Sequence, residues 1–89
     1  MLRISVLESS GIAVTLLLEG RIVEGDVKEL RSSSEQVLDQ ARQLTLDVSG
    51  ISFIDRKGIA LLHALAGREV RIVNYSDFIA ELLKAHATE

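Results

Sequence analysis

The sequence contains no cysteine and no proline, and only 3% of its 89 residues are aromatic. The lack of cysteine excludes disulfides, thiol chemistry and cysteine-ligated metal sites. The aromatic residues, Phe53, Tyr75 and Phe78, leave little surface for stacking on nucleic-acid bases. A membrane helix needs about 20 predominantly apolar residues in a row, and the longest candidate, residues 12–18, has only the length of a strand. These absences argue against nucleic-acid binding and against direct membrane insertion.

The charge balance is slightly acidic, with 13 Asp and Glu residues against 10 Lys and Arg residues and a net charge of −3. No basic run is present, so no footprint for a phosphate backbone is expected. Hydrophobic residues make up 47% of the chain, which is enough to fold around one core of Leu, Ile and Val. We therefore expect a single domain over residues 1–89, and the lack of disulfides suits a cytoplasmic protein.

Hydrophobic periodicity predicts seven secondary-structure elements. Alternating or short apolar runs indicate strands over residues 2–7, 12–19, 44–48 and 69–74. Apolar residues at helical spacing indicate helices over residues 27–41, 56–66 and 77–86. The order strand, strand, helix, strand, helix, strand, helix predicts an α/β fold of the α+β type with a four-stranded mixed sheet. An antiparallel pair would open the sheet, and βαβ crossovers would pack the helices on one face.

Several residues mark where these elements begin and end. Side chains of the type that caps helices precede each predicted helix: Asp26, Asp55 and Ser76. Glu29 follows the first of them at the spacing of a capping-box variant. Ser49 and Gly50 predict a turn after the third strand, and Gly67 is expected to end the second helix in the manner of a C-terminal glycine.

The apolar stripes predict which helix faces are buried. The second helix would bury Ile59, Leu61, Leu62, Leu65 and Ala66. The third helix would bury Phe78, Ile79, Leu82, Leu83 and His86. In the first helix, Ser32, Ser33 and Ser34 weaken the local helix propensity. No motif there supports a phosphorylation cluster, so we expect these serines on the solvated face.

An apolar strand, a short polar loop and an apolar helix follow one another over residues 44–65. Residues 46–55, LDVSGISFID, followed by GIALL at 58–62, resemble the signature of STAS domains, a family named for sulfate transporters and anti-sigma factor antagonists. The resemblance covers most of the chain, including the segments at 18–22 and 70–74. It implies the STAS fold and a protein-binding module, not an enzyme.

The loop departs from the family pattern between its Asp and its Gly. STAS proteins that act in phospho-switches carry hydroxyl residues there, and a partner kinase phosphorylates one of them. Here Arg56 and Lys57 occupy these positions, and neither can form a phosphate ester. The resemblance therefore implies binding without the usual serine switch. Two interpretations stay open: a constitutively basic tip for an acidic partner, or two solvated side chains on a loop that has lost its serine.

The predicted partner-binding residues surround this loop. They are Asp55, Arg56, Lys57, Gly58 and Ile59, with Ser49 and Ser52 at the rim. Gly58 is expected to let the backbone of a partner approach closely. The resemblance implies an anti-sigma factor or a serine kinase-like protein as the partner. The alternative is the ATPase subunit of an ABC-type lipid transporter, because STAS domains also occur as small subunits of such transporters.

Catalytic, metal and cofactor sites are not expected. Neither His63 nor His86 stands at metal-binding spacing with other ligand-type residues. Asp47 and Asp55 are interpreted as a strand-end residue and a helix cap, and no nucleophile stands beside a base.

The first strand is expected at the edge of the sheet, which favours a weak homodimer.

Overall fold

The backbone forms the predicted order of four strands and three helices. The computed structural model describes residues 1–86. The strands are β1 (Leu2–Ser9), β2 (Ala13–Ile22), β3 (Gln43–Ile54) and β4 (Arg71–Val73). The helices are α1 (Glu24–Asp39), α2 (Arg56–Ala66) and α3 (Asp77–His86). Within the described residues, none of these helices is long and apolar enough to cross a membrane.

The strands form one mixed sheet in the order β1-β2-β3-β4. β1 pairs antiparallel with β2, whereas the pairs β2 with β3 and β3 with β4 are parallel. The predicted antiparallel entry and βαβ crossovers are therefore confirmed. Because β2 and β3 run in the same direction, their carboxyl ends meet at one edge of the sheet, where Ile22 pairs with Ile54. Helices α1 and α2 both begin at this edge.

One face of the sheet carries the core. Alternate residues of β2 and β3 are buried on this face: Val14, Leu16, Leu18, Leu44, Leu46 and Val48. They pack with buried residues of the helices: Val27, Leu30, Ile59, Leu62, Leu65 and Ile79. The buried hydrophobic residues are all Leu, Ile or Val, as expected. On the other face of β2, Ala13, Thr15 and Leu17 are half-buried, so the helices cover one face.

β3 is longer than the sequence suggests. Ser49 and Gly50 do not form the predicted turn, and the strand continues to Ile54. Gly50 pairs with Glu19 of β2 beside a register shift, and a Cβ on it would lie 2.7 Å from the Glu19 side chain. The glycine thus permits a close approach of β2. The prediction of a turn is wrong because pairing with a distant strand outweighs local turn propensity.

α1 begins earlier than predicted. Val23 is its N-cap, and Asp26 lies inside the first turn. The Asp26 carboxylate accepts a hydrogen bond from the Val23 N–H at 3.3 Å. Asp26 therefore has the role that a capping box gives to its third helical residue, the role predicted for Glu29. The prediction of Asp26 as the N-cap is wrong because the helix already starts at Glu24.

The predicted solvated serine cluster is only partly exposed. Ser32 is exposed and Ser33 is half-buried, but Ser34 is 0% exposed. Ser34 lies one helical turn after the buried Leu30, so it belongs to the same face of α1. Within the described residues, its hydroxyl oxygen has no hydrogen-bond partner. Placing all three serines on the solvated face is therefore wrong for Ser34.

Residues with positive φ shape the segment after α2. α2 ends at Gly67 as predicted, but Gly67 has a right-handed φ of −66°, and the left-handed residue is Glu69 with φ of 67°. Asn74 is also left-handed, with φ of 59°. Because neither residue is extended, β4 is restricted to Arg71–Val73 and is shorter than predicted. Ala66, which is predicted as buried, is exposed.

α3 begins as predicted. The Ser76 hydroxyl accepts a hydrogen bond from the Ile79 N–H at 3.2 Å, which confirms Ser76 as a cap. Ile79 is buried, but Phe78 is 55% exposed. The prediction for Phe78 is wrong because adjacent helical residues point about 100° apart and Ile79 takes the core-facing position. The predicted burial of His86 lies outside the described side chains.

Candidate functional site

The candidate site lies where β3 passes into α2. β3 ends at Ile54, Asp55 is the N-cap of α2, and Arg56 is already helical. The Asp55 N–H donates to the Ile22 carbonyl at 3.0 Å, which holds the end of β3 against the end of β2. The predicted loop is therefore a direct step from strand to helix, and we call residues 55–58 the turn.

The Asp55 carboxylate joins the N-termini of two helices. Its Oδ1 accepts a hydrogen bond from the Gly58 N–H at 2.8 Å, and its Oδ2 accepts one from the Glu24 N–H, also at 2.8 Å. Both donors lie in first helical turns, where N–H groups lack helical partners and negative charge is favourable. The prediction of Asp55 as the cap of α2 is confirmed. The link to α1 spans 31 residues and has no local sequence signal.

Gly58 is the buried residue of the turn, and its closest neighbours are the last residues of β2 and β3. A Cβ at this position would lie 2.7 Å from Ile54 Cγ2, 2.9 Å from Ile22 Cγ2 and 3.0 Å from the Ile22 carbonyl oxygen. A side chain there would push α2 away from the ends of both strands. The close approach that requires a glycine is thus internal, which corrects the expectation that Gly58 makes room for a partner's backbone.

The other predicted residues of this segment divide into a buried one and two exposed ones. Ile59 is 2% exposed and belongs to the core. Its side chain therefore holds α2 on the sheet and is not part of the surface. Arg56 and Lys57 are both exposed. The positive charges are thus what this segment presents to solvent.

Lys57 reaches from α2 to α1. Its Nζ lies 2.7 Å from Glu24 Oε1, and the two side chains are 64% and 73% exposed. The hydrogen bond to Glu24 and the charge of that carboxylate raise the pKa of Lys57. An ion pair at this exposure contributes little to stability. The ion pair nevertheless gives α2 a side-chain contact with α1, in addition to the link between Asp55 and the Glu24 backbone.

Ser49 and Ser52 lie on β3 before the turn, and both are exposed. The Ser52 hydroxyl donates to the Gly20 carbonyl at 3.2 Å. The Ser49 N–H donates to Asp47 Oδ1 at 2.9 Å. Along an extended strand, Ser49 and Asp55 are separated by roughly 20 Å. Ser52 is therefore the nearer of the two serines to the turn, and the structure does not bring Ser49 to it.

Asp47 is a second carboxylate with two internal donors. It is 8% exposed, and beside the Ser49 N–H it accepts a hydrogen bond from Asn74 Nδ2 to Oδ2 at 3.0 Å. The hydrogen bond from the Ser49 backbone and then that from the Asn74 side chain lower the pKa of Asp47. Asp47 thus fastens β3 to the end of β4. The sequence contains only a weak signal for this contact. Asn74 is of a residue type that tolerates the left-handed conformation, and that conformation ends β4.

A shallow groove between α1 and α2 continues from the turn. It is lined by Glu24, Val27, Lys28, Arg31, Lys57 and Ala60. Lys28 and Arg31 are not among the predicted site residues. Their spacing of three residues, which places side chains on one face of a helix, is the signal that could have found them.

The site offers hydrogen-bonding groups and positive charge. Within the described residues, no group of three or more His, Asp or Glu side chains is placed to hold a metal ion. His63 Nε2 lies 2.9 Å from the Leu83 carbonyl oxygen, between α2 and α3. Asp47 and Asp55 both hold structural hydrogen bonds. The exposed Arg56 and Lys57 are chemically suited to contact negative charge.

Comparisons with known proteins agree with this architecture. A family model described as "Mlab, STAS domain" matches residues 5–87. The anti-sigma factor antagonist SpoIIAA in its unphosphorylated form is 18% identical, with a TM-score of 0.70 over 92% of this chain and 82% of that chain. The STAS domain of an antisigma-factor antagonist from Rhodobacter sphaeroides is 20% identical, with a TM-score of 0.63 over 82% of this chain and 86% of that chain.

A further solved structure with a SpoIIAA-like fold is an uncharacterized protein from Shewanella loihica. It is 12% identical, with a TM-score of 0.59 over 86% of this chain and 69% of that chain. Among curated protein sequences, none matches this chain. At these identities the structural likeness shows the fold, a SpoIIAA-like mixed sheet with three helices.

Proposed function

The chain belongs to the STAS domain family, and from this premise we propose that it is a non-catalytic module that binds a regulatory protein. It docks the turn and the following helix α2 onto that partner. Its fold resembles that of anti-sigma factor antagonists. The partner in this proposal is an anti-sigma factor or a serine kinase-like protein, and the interaction is cytoplasmic.

This proposal rests on the exposure of Arg56 and Lys57, together with the hydrogen bonds and packing that hold the backbone of the turn in place. Asp55 binds both helix N-termini, and Gly58 is packed against the strand ends. The backbone that bears the two cations therefore has little freedom, and a preorganised surface loses little entropy on binding. Within the described residues, Arg56 forms no ion pair. Its charge is thus available to an acidic surface.

The same two positions support binding that does not depend on serine phosphorylation. A phosphate at the start of α2 would add roughly −1.5 to −2 charge units. Arg56 and Lys57 instead place positive charge there, and neither side chain can carry a phosphate ester. The interaction is therefore constitutive and selects an acidic partner surface.

Affinity capture from the native lysate tests the proposal. The baits are the wild-type chain and the variant Arg56→Glu, Lys57→Glu. The control bait, Arg68→Glu with Lys84→Glu, reverses the same number of exposed charges away from the turn. We expect the wild type and the control to retain an anti-sigma factor or kinase-like protein and the turn variant to lose it. Equal retention by all three baits would remove the turn from the proposal.

A second candidate is a STAS subunit that binds the ATPase of an ABC-type lipid transporter. Two observations favour it: the matching family model is described as Mlab, and the turn has no hydroxyl between Asp55 and Gly58. A permanent subunit needs no phosphorylation switch. The same capture experiment separates the candidates, because recovery of an ABC ATPase supports this one and excludes the first.

The edge of the sheet supports a further part of the proposal, a weak homodimer. β1 has one neighbour, β2, in the sheet, and Val6 and Leu7 on it are 63% and 50% exposed. An unpaired strand edge with apolar side chains favours pairing with a second chain. Light scattering over a concentration series checks this. A mass that stays at 9.7 kDa at every concentration would reject the dimer.

A further inference from the structure

The groove between α1 and α2 has an apolar floor and a charged rim. Val27, which is 8% exposed, and the small side chain of Ala60 line it between the two helices. Lys28 and Arg31 line its α1 side and Lys57 its α2 side. The groove begins at Glu24, next to the turn, so the two surfaces are continuous.

The rim carries excess positive charge on a chain whose net charge is −3. Three cations line it against a single carboxylate, Glu24. That carboxylate is already paired with Lys57. Across residues 1–85, no carboxylate lies within ion-pair distance of Lys28 or Arg31, and both are exposed. Two cations are therefore without an internal counter-charge on one side of a concave surface.

We infer that this groove binds an acidic amphipathic helix of the protein partner, an inference that rests on the proposed function. Charge complementarity selects an acidic segment. A groove between two helices fits a third helix, and the apolar face of that helix would meet Ala60, which is exposed in the groove. Lys28 and Arg31 lie one helical turn apart, so they match carboxylates spaced three or four residues apart on that helix.

The same charges do not favour an extended polyanion. Nucleic acids and anionic membranes present negative charge over a wide area, and the acidic remainder of this chain would be repelled by it. A single acidic helix contacts only the groove and the turn. The three cations of the rim also line one concave strip between two helices rather than a flat face.

Photo-cross-linking with the full chain in the native lysate tests this inference. The cross-linking amino acid p-benzoylphenylalanine is placed at position 60, in the groove, or at position 56, on the turn. Mass spectrometry then identifies the cross-linked segment of the partner. We expect position 60 to mark a segment with carboxylates at helical spacing. Circular dichroism confirms that each variant is folded.

Charge reversal then tests the basis of recognition. Lys28→Glu with Arg31→Glu should lower the yield of the cross-link at position 60 at least about tenfold, because two attractions become repulsions. The control variant, Arg68→Glu with Lys84→Glu, should leave the yield unchanged. An equal yield from wild type and the groove variant would overturn the inference.

The two cross-linking positions separate this inference from the proposed function. A partner marked from position 56 but not from position 60, or marked from position 60 on a segment without carboxylates, overturns the groove and leaves the proposed function standing. No cross-link from either position overturns both. Sedimentation with phosphatidylglycerol vesicles that depends on Lys28 and Arg31 would assign the groove to a lipid surface and overturn the inference.

Discussion

The turn between β3 and α2 differs from the flank of the fold in how its polar side-chain atoms are paired. We define the flank as residues 33–42, which lie beside β1. At the turn, each oxygen of the Asp55 carboxylate accepts a backbone N–H. In the flank, two buried side-chain atoms have no hydrogen-bond partner: the Ser34 hydroxyl oxygen and Arg42 Nε. Within the described residues, no other buried side-chain nitrogen or oxygen lacks a partner.

This difference shows where the chain holds a defined geometry. A carboxylate with two backbone donors sets the position of two helix N-termini relative to each other. A buried polar atom without a partner lowers stability, although the terminal nitrogens of Arg42 donate to Ser9 and Ser10 and so hold the flank against the hairpin of β1 and β2. The hydrogen bonds of the turn therefore fix the backbone that carries the exposed Arg56 and Lys57, whereas the flank combines hydrogen bonds to the hairpin with two unpaired buried atoms.

Gly58→Ala should be the most damaging single substitution at the turn. The added Cβ would lie within 3.0 Å of Ile22 and Ile54 atoms, and overpacking of this kind lowers the free energy of unfolding by about 2–3 kcal/mol. The matched control is Gly25→Ala, because Gly25 is in the first turn of α1 and a Cβ there meets no atom within 4 Å. Urea unfolding of both variants measures the difference. Equal midpoints would show that Gly58 is not packed as described.

Asp55→Ala should be the next most damaging change, with a loss of about 2 kcal/mol. It removes one helix cap and a second charge-assisted hydrogen bond. Asp55→Asn keeps one acceptor oxygen and should lose less. The control is Asp39→Ala at the exposed end of α1, which should be nearly neutral. If Asp55→Ala and Asp39→Ala unfold at the same urea concentration, the Asp55 link between the helices does not exist in solution.

The hydrogen bonds to Asp47 should make the stability depend on pH. They lower its pKa, so the ionised carboxylate stabilises the fold above its ordinary pKa, and this contribution is lost as the pH falls below about 4. Wild type should exceed Asp47→Asn by about 1.5 kcal/mol at pH 6, and the gap should shrink at pH 3. Urea unfolding at both pH values measures it. A gap that widens at pH 3 would reverse the assigned direction.

At the flank, a substitution should improve the fold. Ser34→Ala removes a buried hydroxyl without a partner and should raise the free energy of unfolding by about 1 kcal/mol. Ser32→Ala is the control, because Ser32 is exposed on the same helix and gains only helix propensity. Thermal unfolding of the two variants isolates the effect of burial. A loss of stability in Ser34→Ala would mean that the hydroxyl has a partner after all.

The order of the elements and two of the caps could be predicted from the sequence because their signals are local. Asp55 and Ser76 each cap the helix that follows directly, and each accepts an N–H three residues later. Alternation over β2 and β3 likewise reflects one buried face. Patterns of this kind depend on neighbours within a few residues of the chain, which a single sequence displays.

The features that escaped prediction depend on distant parts of the chain. Ser49 and Gly50 carry turn propensity, but pairing with β2 keeps them in β3. Asp55 meets Glu24 across 31 residues, and Asp47 meets Asn74 across 27. Of the predicted site residues at the turn, Arg56 and Lys57 are the exposed ones, and their role in binding stays a prediction. The sequence did not reveal that the residues around them are structural.

The measurement that tests the account most directly is a paired one on the variant Arg56→Glu, Lys57→Glu. Both side chains are exposed and the ion pair lost with Lys57 contributes little to stability, so urea unfolding should give a midpoint close to that of the wild type. Titration with the purified partner recovered by affinity capture should show at least about a tenfold loss of affinity, because the charges that face it are reversed. Unchanged affinity with an intact fold would contradict the claim that this chain binds its partner through the basic turn.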